Sequence, residues 1–241
     1  MENNPIVIHE DEDMLVINKP VGVVVHGDGR TKESTVADWL VAEYPYIQNV
    51  GEPWENEKGE TILRPGIVHR LDRETSGVMV IAKTQESFEF LKEQFKQRTI
   101  KKTYRAFAYD TFKENEGEID RPIGKSKSDF RKWSAQPGSR GVQREAYTAW
   151  EVLKTVENKG EIFTYLNLTP TTGRTHQLRV HLKAIHHPIV CDKLYAPKRA
   201  CALGFERLAL HAYSLEVPDE QGTTRTFEAP LPTDFVKALG E

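Results

Sequence analysis

The stretch that decides the fold is His69-Arg-Leu-Asp-Arg-Glu-Thr-Ser-Gly77, followed at once by the apolar run Val-Met-Val-Ile-Ala. A continuous apolar run of this length predicts a buried strand, and the polar turn before it would shield Asp72 partly from water. Arg70 and Arg73 flank Asp72 and favour its ionised form. An ionised carboxylate in a dry cleft can attack or stabilise an electron-poor sugar carbon. The alternative is a turn or capping residue that pairs with one of these arginines.

The rest of the chain mixes strand and helix patterns. Period-two alternation and short apolar runs predict strands at residues 5–8, 14–18, 103–109, 144–153 and 162–168. Helical spacing predicts helices at residues 35–44 (capped by Ser34), after Thr84 (with Phe88, Leu91 and Phe95 on one face) and at 175–185. Residues 46–65 are expected to form a surface loop, and two strands and a short helix follow Tyr213. The helices are too few for alternating βαβ units, so the chain is predicted to be α+β with a mainly antiparallel sheet.

A second segment, Lys101-Lys-Thr-Tyr-Arg-Ala106, places Tyr104 between basic neighbours on a predicted strand. A tyrosine in this setting can stack on a flipped base while its hydroxyl serves as a polar group. A tyrosine that packs in the core is the alternative.

A third segment, Thr169-Pro-Thr-Thr-Gly-Arg-Thr-His-Gln-Leu-Arg-Val-His181, places a polar turn before a helix. Backbone N–H groups at the helix start, together with Arg174, predict a phosphate site. Arg179 and Lys183 share the polar face of the helix because they are four residues apart. The alternative is a capped amphipathic helix with solvated arginines.

The charge is distributed unevenly along the chain. The net charge is −3 and the pI about 6.3, which by itself would argue against a nucleic-acid partner. Residues 1–60 carry 13 acidic and four basic side chains, whereas residues 121–144 carry seven basic side chains against Asp129 alone. Residues 169–213 add seven basic side chains and two acidic ones. Because the local field decides where a polyanion docks, the two basic segments favour RNA binding, with solvated loops as the alternative.

Several classes of protein are excluded by what the sequence lacks. Two cysteines, Cys191 and Cys201, without a CxxC motif predict no disulfide framework and a reducing, cytoplasmic setting. We find neither an apolar run long enough to span a membrane nor a signal-peptide pattern. His186 and His187 lack neighbouring ligands at metal-site spacing, and phosphate-binding or dinucleotide-binding glycine loops are missing.

These motifs together resemble the RluA-type RNA pseudouridine synthases. The run from His69 to Gly77 is similar to the catalytic motif of that family, and residues 102–106 are similar to its tyrosine motif. Residues 173–181 resemble its third motif, and Asn18-Lys-Pro-Val-Gly22 with His26 resembles its opening segment. The four motifs occur in the family order, and the resemblance covers about residues 5–235.

The resemblance implies one catalytic domain over residues 1–241, with a mixed, mostly antiparallel central sheet and an RNA-binding cleft. It implies that Asp72 is the catalytic aspartate, that Tyr104 stacks on the target uracil, that Arg179 is the basic partner of Asp72 and that Arg70 fills the gap left by the flipped uridine. Further RNA contacts are expected from Arg73, Lys102, Arg131, Lys132, Arg174, His176 and Gln177. The expected protein is a cytoplasmic monomer that acts on ribosomal or transfer RNA, uses no metal or other cofactor, and binds neither DNA nor membranes. Because the chain starts at the catalytic domain, without the small N-terminal RNA-binding domain of many members, substrate choice is expected to rest on the cleft and its loops.

Two other functions compete with this hypothesis. A non-catalytic RNA-binding protein would explain the basic segments but not Asp72, whose negative charge RNA should repel. A hydrolase that releases uracil would share the carboxylate, but it needs a positioned water and a second acid or base. Glu74 is the only further carboxylate within these motifs.

Overall fold

The structure is a computed structural model that describes residues 4–27, 33–55, 59, 61–219 and 222–240. The strands are β1 (Ile6–Glu10), β2 (Met14–Lys19), β3 (Trp54–Glu55), β4 (Thr61–Ile62), β5 (Ser76–Ala82), β6 (Lys101–Tyr109), β7 (Glu116–Asp120), β8 (Ile123–Lys125), β9 (Trp133–Ser134), β10 (Arg140–Arg144), β11 (Tyr147–Asn158), β12 (Glu161–Pro170), β13 (Leu210–Pro218) and β14 (Thr224–Glu228). The helices are α1 (Val36–Glu43), α2 (Gln85–Gln97), α3 (Gln177–Ala184) and α4 (Thr233–Leu239). The predicted α+β class with a mostly antiparallel central sheet is confirmed.

The contacts divide the chain into two compact units. Unit 1 comprises Met1–Ile100 and Ala212–Pro230, and unit 2 comprises Lys101–His211 and Leu231–Glu241. The description of residues 1–241 as one catalytic domain stays a prediction.

In unit 1, strand β2 lies between β1 and β5 and pairs with both in antiparallel register. All seven residues of β5 are buried, as the apolar run predicted. Helix α2 follows β5 directly, because the Thr84 side chain accepts a hydrogen bond from the Ser87 N–H and forms a capping box. Phe88 and Leu91 on its inner face are buried. The strand and helix that follow the motif containing Asp72 therefore hold its C-terminal end firmly.

In unit 2, strand β12 lies between β6 and β11, and β11 also pairs with β7. The core of this unit is rich in aromatic rings, with Phe107 in contact with Tyr165, Phe205 and Phe235. A separate three-stranded sheet has the order β10-β8-β9. All three strands of this small sheet lie within the basic segment 121–144.

Three local predictions differ from the structure, and one small sheet was not predicted. Helix α1 is capped by Thr35 and not by Ser34, because Thr35 forms a reciprocal capping box with Asp38 three residues later. Helix α3 begins at Gln177 and not at residue 175, because His176 adopts a left-handed backbone conformation with φ 56°. The expected loop at 46–65 contains the β3–β4 hairpin, although part of it lies outside the described residues. The small sheet β10-β8-β9 was not predicted, because its strands are two to five residues long and carry mostly polar side chains.

The prediction that the two cysteines provide no disulfide framework did not anticipate the bond that the structure shows. Cys191 and Cys201 form a disulfide, with their Cα atoms 4.4 Å apart. The Tyr109 hydroxyl lies between the two ends of this loop, donating to the Ala200 carbonyl at 2.7 Å and accepting from the Cys191 N–H at 3.1 Å. The two cysteines are close together because the loop between them folds back, which their spacing in the sequence does not reveal.

Within the described residues, no helix is long and apolar enough to cross a bilayer.

Candidate active site

Asp72 lies on a tight turn immediately before β5. The Thr75 N–H donates to the Asp72 carbonyl at 3.1 Å, which closes the turn. Asp72 is half-buried, whereas Arg73 and Glu74 at the turn are exposed. The sequence therefore places one carboxylate in partial shelter from water, next to a strand that cannot move without disrupting the core.

The buried ammonium group of Lys19 braces this turn from the opening segment. Lys19 is fully buried at the end of β2, and its Nζ donates to the carbonyls of Pro20 (2.8 Å), Val23 (2.8 Å) and Arg73 (3.2 Å). The Gly22 N–H also donates to the Arg73 carbonyl, at 2.9 Å. Three charge-assisted hydrogen bonds to carbonyls offset part of the desolvation cost of the ammonium group. Sequence reasoning missed this role, and the only signal for it was a lysine between an apolar strand and Pro20.

His69 fixes the start of the same motif. Its Nε2 accepts a hydrogen bond from the Val80 N–H at 3.0 Å, and its ring stacks on Phe95 with a centroid distance of 4.7 Å. Because Nε2 is an acceptor, this imidazole is neutral with its proton on Nδ1. His69 therefore attaches the motif to β5 and α2.

The two arginines beside Asp72 have different surroundings. Arg73 forms an exposed ion pair with Glu33, with Nη2 and Oε2 2.7 Å apart. Arg70 is exposed, and its charge adds to burial in lowering the pKa of Arg64. The Arg64 guanidinium lies 4.2 Å from the centroid of the Trp54 ring. Arg70 and Arg64 together therefore give this side of unit 1 a local positive charge.

Tyr104 and Lys102 lie on β6 in unit 2. They are two residues apart, so they share one face of the strand. Tyr104 is half-buried and packs against the aromatic-rich core, opposite Leu168 of β12. Its neighbour Arg105 donates to the Asn167 Oδ1 at 2.5 Å. A core thus supports one side of the Tyr104 ring, which restricts its position.

Arg179 is held by a residue that the sequence did not single out. Its Nε and Nη2 donate to Oδ2 and Oδ1 of Asp192 at 2.8 and 2.9 Å, and both residues are buried. Asp192 Oδ1 also accepts from the N–H groups of Leu194 and Tyr195. A bidentate pair fixes the plane of the guanidinium as well as its position. Asp192 is thirteen residues beyond Arg179, in a loop, and only the fold brings the two together.

Gln177 braces the turn that precedes α3. Its Oε1 accepts from the Thr172 hydroxyl (2.7 Å) and the Arg174 N–H (3.0 Å), and its Nε2 donates to the Tyr147 carbonyl (2.9 Å) and Thr148 Oγ1 (3.1 Å). All four hydrogen-bonding positions of the amide are used within unit 2. The Arg174 N–H, one of the donors expected to face a phosphate, is used here too. An RNA contact by Gln177 stays a prediction that these hydrogen bonds do not support.

His176 and Arg174 lie at the same turn. His176 Nδ1 is hydrogen-bonded to the Tyr195 hydroxyl at 2.9 Å, and that hydroxyl accepts from the Trp133 N–H at 2.9 Å. Arg174 donates through Nε to the Glu145 carbonyl at 3.0 Å. The start of α3 is thus connected through Tyr195 to strand β9.

His181 is a buried, neutral histidine on the inner face of α3. Its Nε2 is 2.9 Å from the Arg121 carbonyl, which can only accept, so Nε2 carries the proton. Nδ1 then accepts from the Thr148 hydroxyl at 2.9 Å. Burial is the main cause that lowers the pKa of His181.

Among the described residues, no group of three or more His, Cys, Asp or Glu side chains is arranged to hold a metal ion.

Arg131 and Lys132 share one carboxylate in the basic segment. Arg131 makes a two-pronged contact with Asp129 at 3.0 and 2.9 Å, and the Lys132 Nζ is 3.7 Å from the same side chain. Hydrogen bonds from Arg131 lower the pKa of Asp129 far below its usual range. Asp129 therefore neutralises only part of the local charge.

The predicted catalytic residues are divided between the two units. Asp72 belongs to unit 1, with Arg70 and Arg73, whereas Tyr104 and Arg179 belong to unit 2. The remaining predicted RNA contacts are also in unit 2, namely Lys102, Arg131, Lys132, Arg174, His176 and Gln177.

Comparison with known proteins places these features in a family. The family model described as RNA pseudouridylate synthase matches residues 13–184. An uncharacterized RNA pseudouridine synthase of Synechocystis sp. is 36% identical over 240 residues, which cover 99% of this chain and 69% of the relative. The ribosomal large subunit pseudouridine synthase D of Borreliella burgdorferi is 36% identical over 235 residues, covering 97% and 68% respectively. The solved structure of human RNA pseudouridylate synthase domain containing 1 has a TM-score of 0.73 at 26% identity, covering 95% of this chain and 84% of that one.

Proposed function

The chain belongs to the RNA pseudouridylate synthase family, and on that premise we propose how its own residues isomerise a uridine in RNA. The bond from uracil N1 to the sugar C1′ breaks, the base turns, and a bond from uracil C5 to C1′ forms. The proton that C5 loses balances the one that N1 gains, so the reaction needs no outside reagent and leaves the RNA mass unchanged.

Asp72 is the catalytic carboxylate in this proposal. The observation that carries this assignment is that Asp72 is half-buried on a fixed turn. The residue after it, Arg73, accepts hydrogen bonds at its backbone carbonyl from the buried Lys19 ammonium and from the Gly22 N–H. A carboxylate held in place has little reorganisation to undergo when positive charge develops on the sugar. Whether it attacks C1′ or removes a proton from C2′, the requirement for a fixed carboxylate is the same.

Tyr104 and Arg179 complete the proposed catalytic group. The half-buried ring of Tyr104 stacks on the flipped uracil and keeps it in place while it turns. Arg179, oriented by Asp192, is the basic partner of the Asp72 carboxylate. Arg70 enters the gap in the RNA stack, and phosphate contacts come from Arg73, Lys102, Arg131, Lys132, Arg174 and His176.

The large-subunit ribosomal RNA is the first substrate to test. The relative from Borreliella burgdorferi carries ribosomal large subunit pseudouridine synthase in its name, and so does one from Pasteurella multocida that is 35% identical over 251 residues. Transfer RNA is the second candidate. We propose that the protein acts as a monomer in the cytoplasm, where its RNA substrate is, and selects RNA over DNA through the ribose 2′-hydroxyl. The proposed location rests on the RNA substrate alone, because the disulfide between Cys191 and Cys201 removes the argument from the cysteines.

The experiment gives the purified, chelator-treated protein only RNA made by in vitro transcription, which contains no pseudouridine at the start. Digestion to nucleosides and liquid chromatography then separate uridine from pseudouridine. The proposal expects pseudouridine, with unchanged RNA mass and no uracil in the supernatant. Free uracil with an abasic RNA would establish the hydrolase instead. RNA binding without product, on both ribosomal and transfer RNA transcripts, would establish the non-catalytic alternative.

A further inference from the structure

The turn between β8 and β9 is fixed by hydrogen bonds between backbone groups and by others that involve side chains. In the backbone, the Ser126 N–H donates to the Lys132 carbonyl at 2.9 Å, and the Lys132 N–H donates to the Asp129 carbonyl at 3.0 Å. In the side chains, Asp129 accepts from the backbone N–H of Arg131 at 3.0 Å as well as from its guanidinium. The residue between Asp129 and Arg131 is therefore presented on an ordered turn.

That residue is Phe130, and its ring points into solvent. Phe130 is 85% exposed, the highest value among the large hydrophobic side chains of the described residues. Burial of an aromatic side chain favours folding, and Phe130, being exposed, contributes almost nothing in this way. An isolated exposed apolar side chain is ordinary, so exposure alone does not indicate a binding site. The charge of the residues around Phe130 is the evidence for one.

The surroundings of Phe130 are strongly positive. Residues 121–144 carry seven basic side chains against one acidic one, and that acid, Asp129, already contacts Arg131 and Lys132. Lys125 and Lys127 on the approach to the turn are exposed, and Arg140 of β10 lies opposite Lys125 in the sheet register. By contrast Tyr46, an aromatic side chain in unit 1 that is 61% exposed, belongs to residues 1–60, where acidic side chains outnumber basic ones by nine.

We propose that Phe130 is a stacking platform for an unpaired base of the substrate RNA, and that the cations around it pair with the flanking phosphates. Aromatic rings set among basic residues bind single-stranded nucleic acid in this way, and the stacked base must be out of a helix. The protein then prefers RNA that presents unpaired nucleotides over continuous duplex. The excess of positive charge selects RNA over an apolar protein surface as the occupant. This inference rests on the proposed function only in taking RNA as the substrate.

The test compares variants on two RNA probes that share one stem. One probe is a synthetic stem-loop with uridines in its loop, and the other is the same stem as a blunt duplex. Dissociation constants for wild type, Phe130→Ala, Phe130→Trp and the control Tyr46→Ala are measured by fluorescence anisotropy. A stacked base contributes about 1–3 kcal/mol, so Phe130→Ala should weaken binding to the stem-loop by about 5-fold to 150-fold. Affinity for the duplex should be unchanged, Phe130→Trp should bind like wild type, and so should Tyr46→Ala.

The outcomes separate this inference from the proposed function. Since the Phe130 ring is exposed, the alanine variant should unfold at the wild-type temperature, and its affinity can be interpreted directly. Equal stem-loop affinity for Phe130→Ala and wild type would overturn the inference, as would an equal loss on both probes. If the substitution instead dissociates a dimer of the free protein in analytical ultracentrifugation, Phe130 is a self-association contact and the RNA assignment is wrong. If Phe130→Ala weakens stem-loop binding but the wild-type protein makes no pseudouridine, the proposed function is contradicted and the inference about Phe130 stands.

Discussion

Arg179 and Asp192 form a buried bidentate ion pair in which Nε and Nη2 of the arginine lie 2.8 and 2.9 Å from the two carboxylate oxygens. The carboxylate is itself oriented by the backbone N–H groups of Leu194 and Tyr195. Asp192 thus sets the position of a guanidinium that the family resemblance assigns to the catalytic group.

Replacing Asp192 with Asn should therefore destabilise the protein and slow turnover. Removing one partner of a buried ion pair leaves the other charge uncompensated, which costs about 3–5 kcal/mol. Chemical denaturation measures the stability, and single-turnover kinetics at saturating RNA, well below the midpoint, measures the rate. Asp110→Asn, which removes an exposed pair with Arg199, is the matched control and should change stability by about 1 kcal/mol or less. If the two substitutions changed stability and rate equally, the ion pair of Asp192 with Arg179 would contribute to neither more than an exposed pair does.

Stability should fall as the solution is acidified, and His181 should be one cause. Burial lowers the pKa of His181 in the folded state, so the unfolded chain takes up the proton first. The contribution of His181 is fully present above its unfolded pKa of about 6.5 and is lost as pH falls toward the lower, folded pKa, by at most about 1.4 kcal/mol per pH unit.

Urea denaturation of wild type and His181→Gln between pH 8 and pH 5 checks this slope. The variant should be less stable at pH 8 and less dependent on pH below 6.5. His186→Asn is the control, because His186 is exposed and its left-handed backbone suits asparagine. A slope that survives in His181→Gln and disappears in His186→Asn would assign the titration to the wrong histidine.

Tyr104 should affect binding and chemistry separately. Tyr104→Phe keeps the ring, so RNA affinity should be unchanged while the single-turnover rate falls through loss of the hydroxyl. Tyr104→Ala should also weaken binding by about 1–3 kcal/mol, because stacking is lost. Wild-type rates and affinities in both variants would leave Tyr104 as a packing residue of the unit 2 core.

The disulfide should stabilise the folded protein by about 2–4 kcal/mol, the usual range for a loop of moderate length. Cys201 is exposed, so Cys201→Ser removes the bond with little loss of packing. Under oxidising conditions the variant should unfold at a lower denaturant concentration than wild type. Reductant should lower the wild-type midpoint to that of the variant and leave the variant unchanged. Titration of two free thiols in the unreduced wild-type protein would contradict the pairing.

Local signals made parts of this fold predictable. The apolar run after Gly77 and the cap at Thr84 depend on neighbouring residues, and both predictions were confirmed. The cap of α1 was also encoded locally, since Thr35 has an acid three residues later whereas Ser34 does not. The sequence therefore contained the signal for Thr35, although Ser34 was predicted as the cap.

Other features depend on contacts that only the folded chain provides. Lys19 contacts the carbonyl of Arg73, 54 residues away, and neither residue type indicates burial at that position. Asp192 lies in a loop whose path is set by Tyr109 and the disulfide, so nothing near Arg179 in sequence identifies its partner. Motif patterns thus predicted residues with chemical roles, whereas the residues that hold them in place became visible only in the structure.

The turnover of Asp72→Asn, compared with that of Glu74→Gln, tests directly whether Asp72 is the catalytic carboxylate. Both substitutions remove one carboxylate from the same turn, and Glu74 is exposed. Each variant receives the same unmodified RNA transcript, with pseudouridine counted by nucleoside chromatography and RNA affinity measured in parallel. We expect no detectable pseudouridine from Asp72→Asn, with RNA affinity and unfolding temperature near those of wild type, and near wild-type turnover from Glu74→Gln. Pseudouridine formation by Asp72→Asn at a rate close to that of wild type would show that Asp72 is not the catalytic carboxylate.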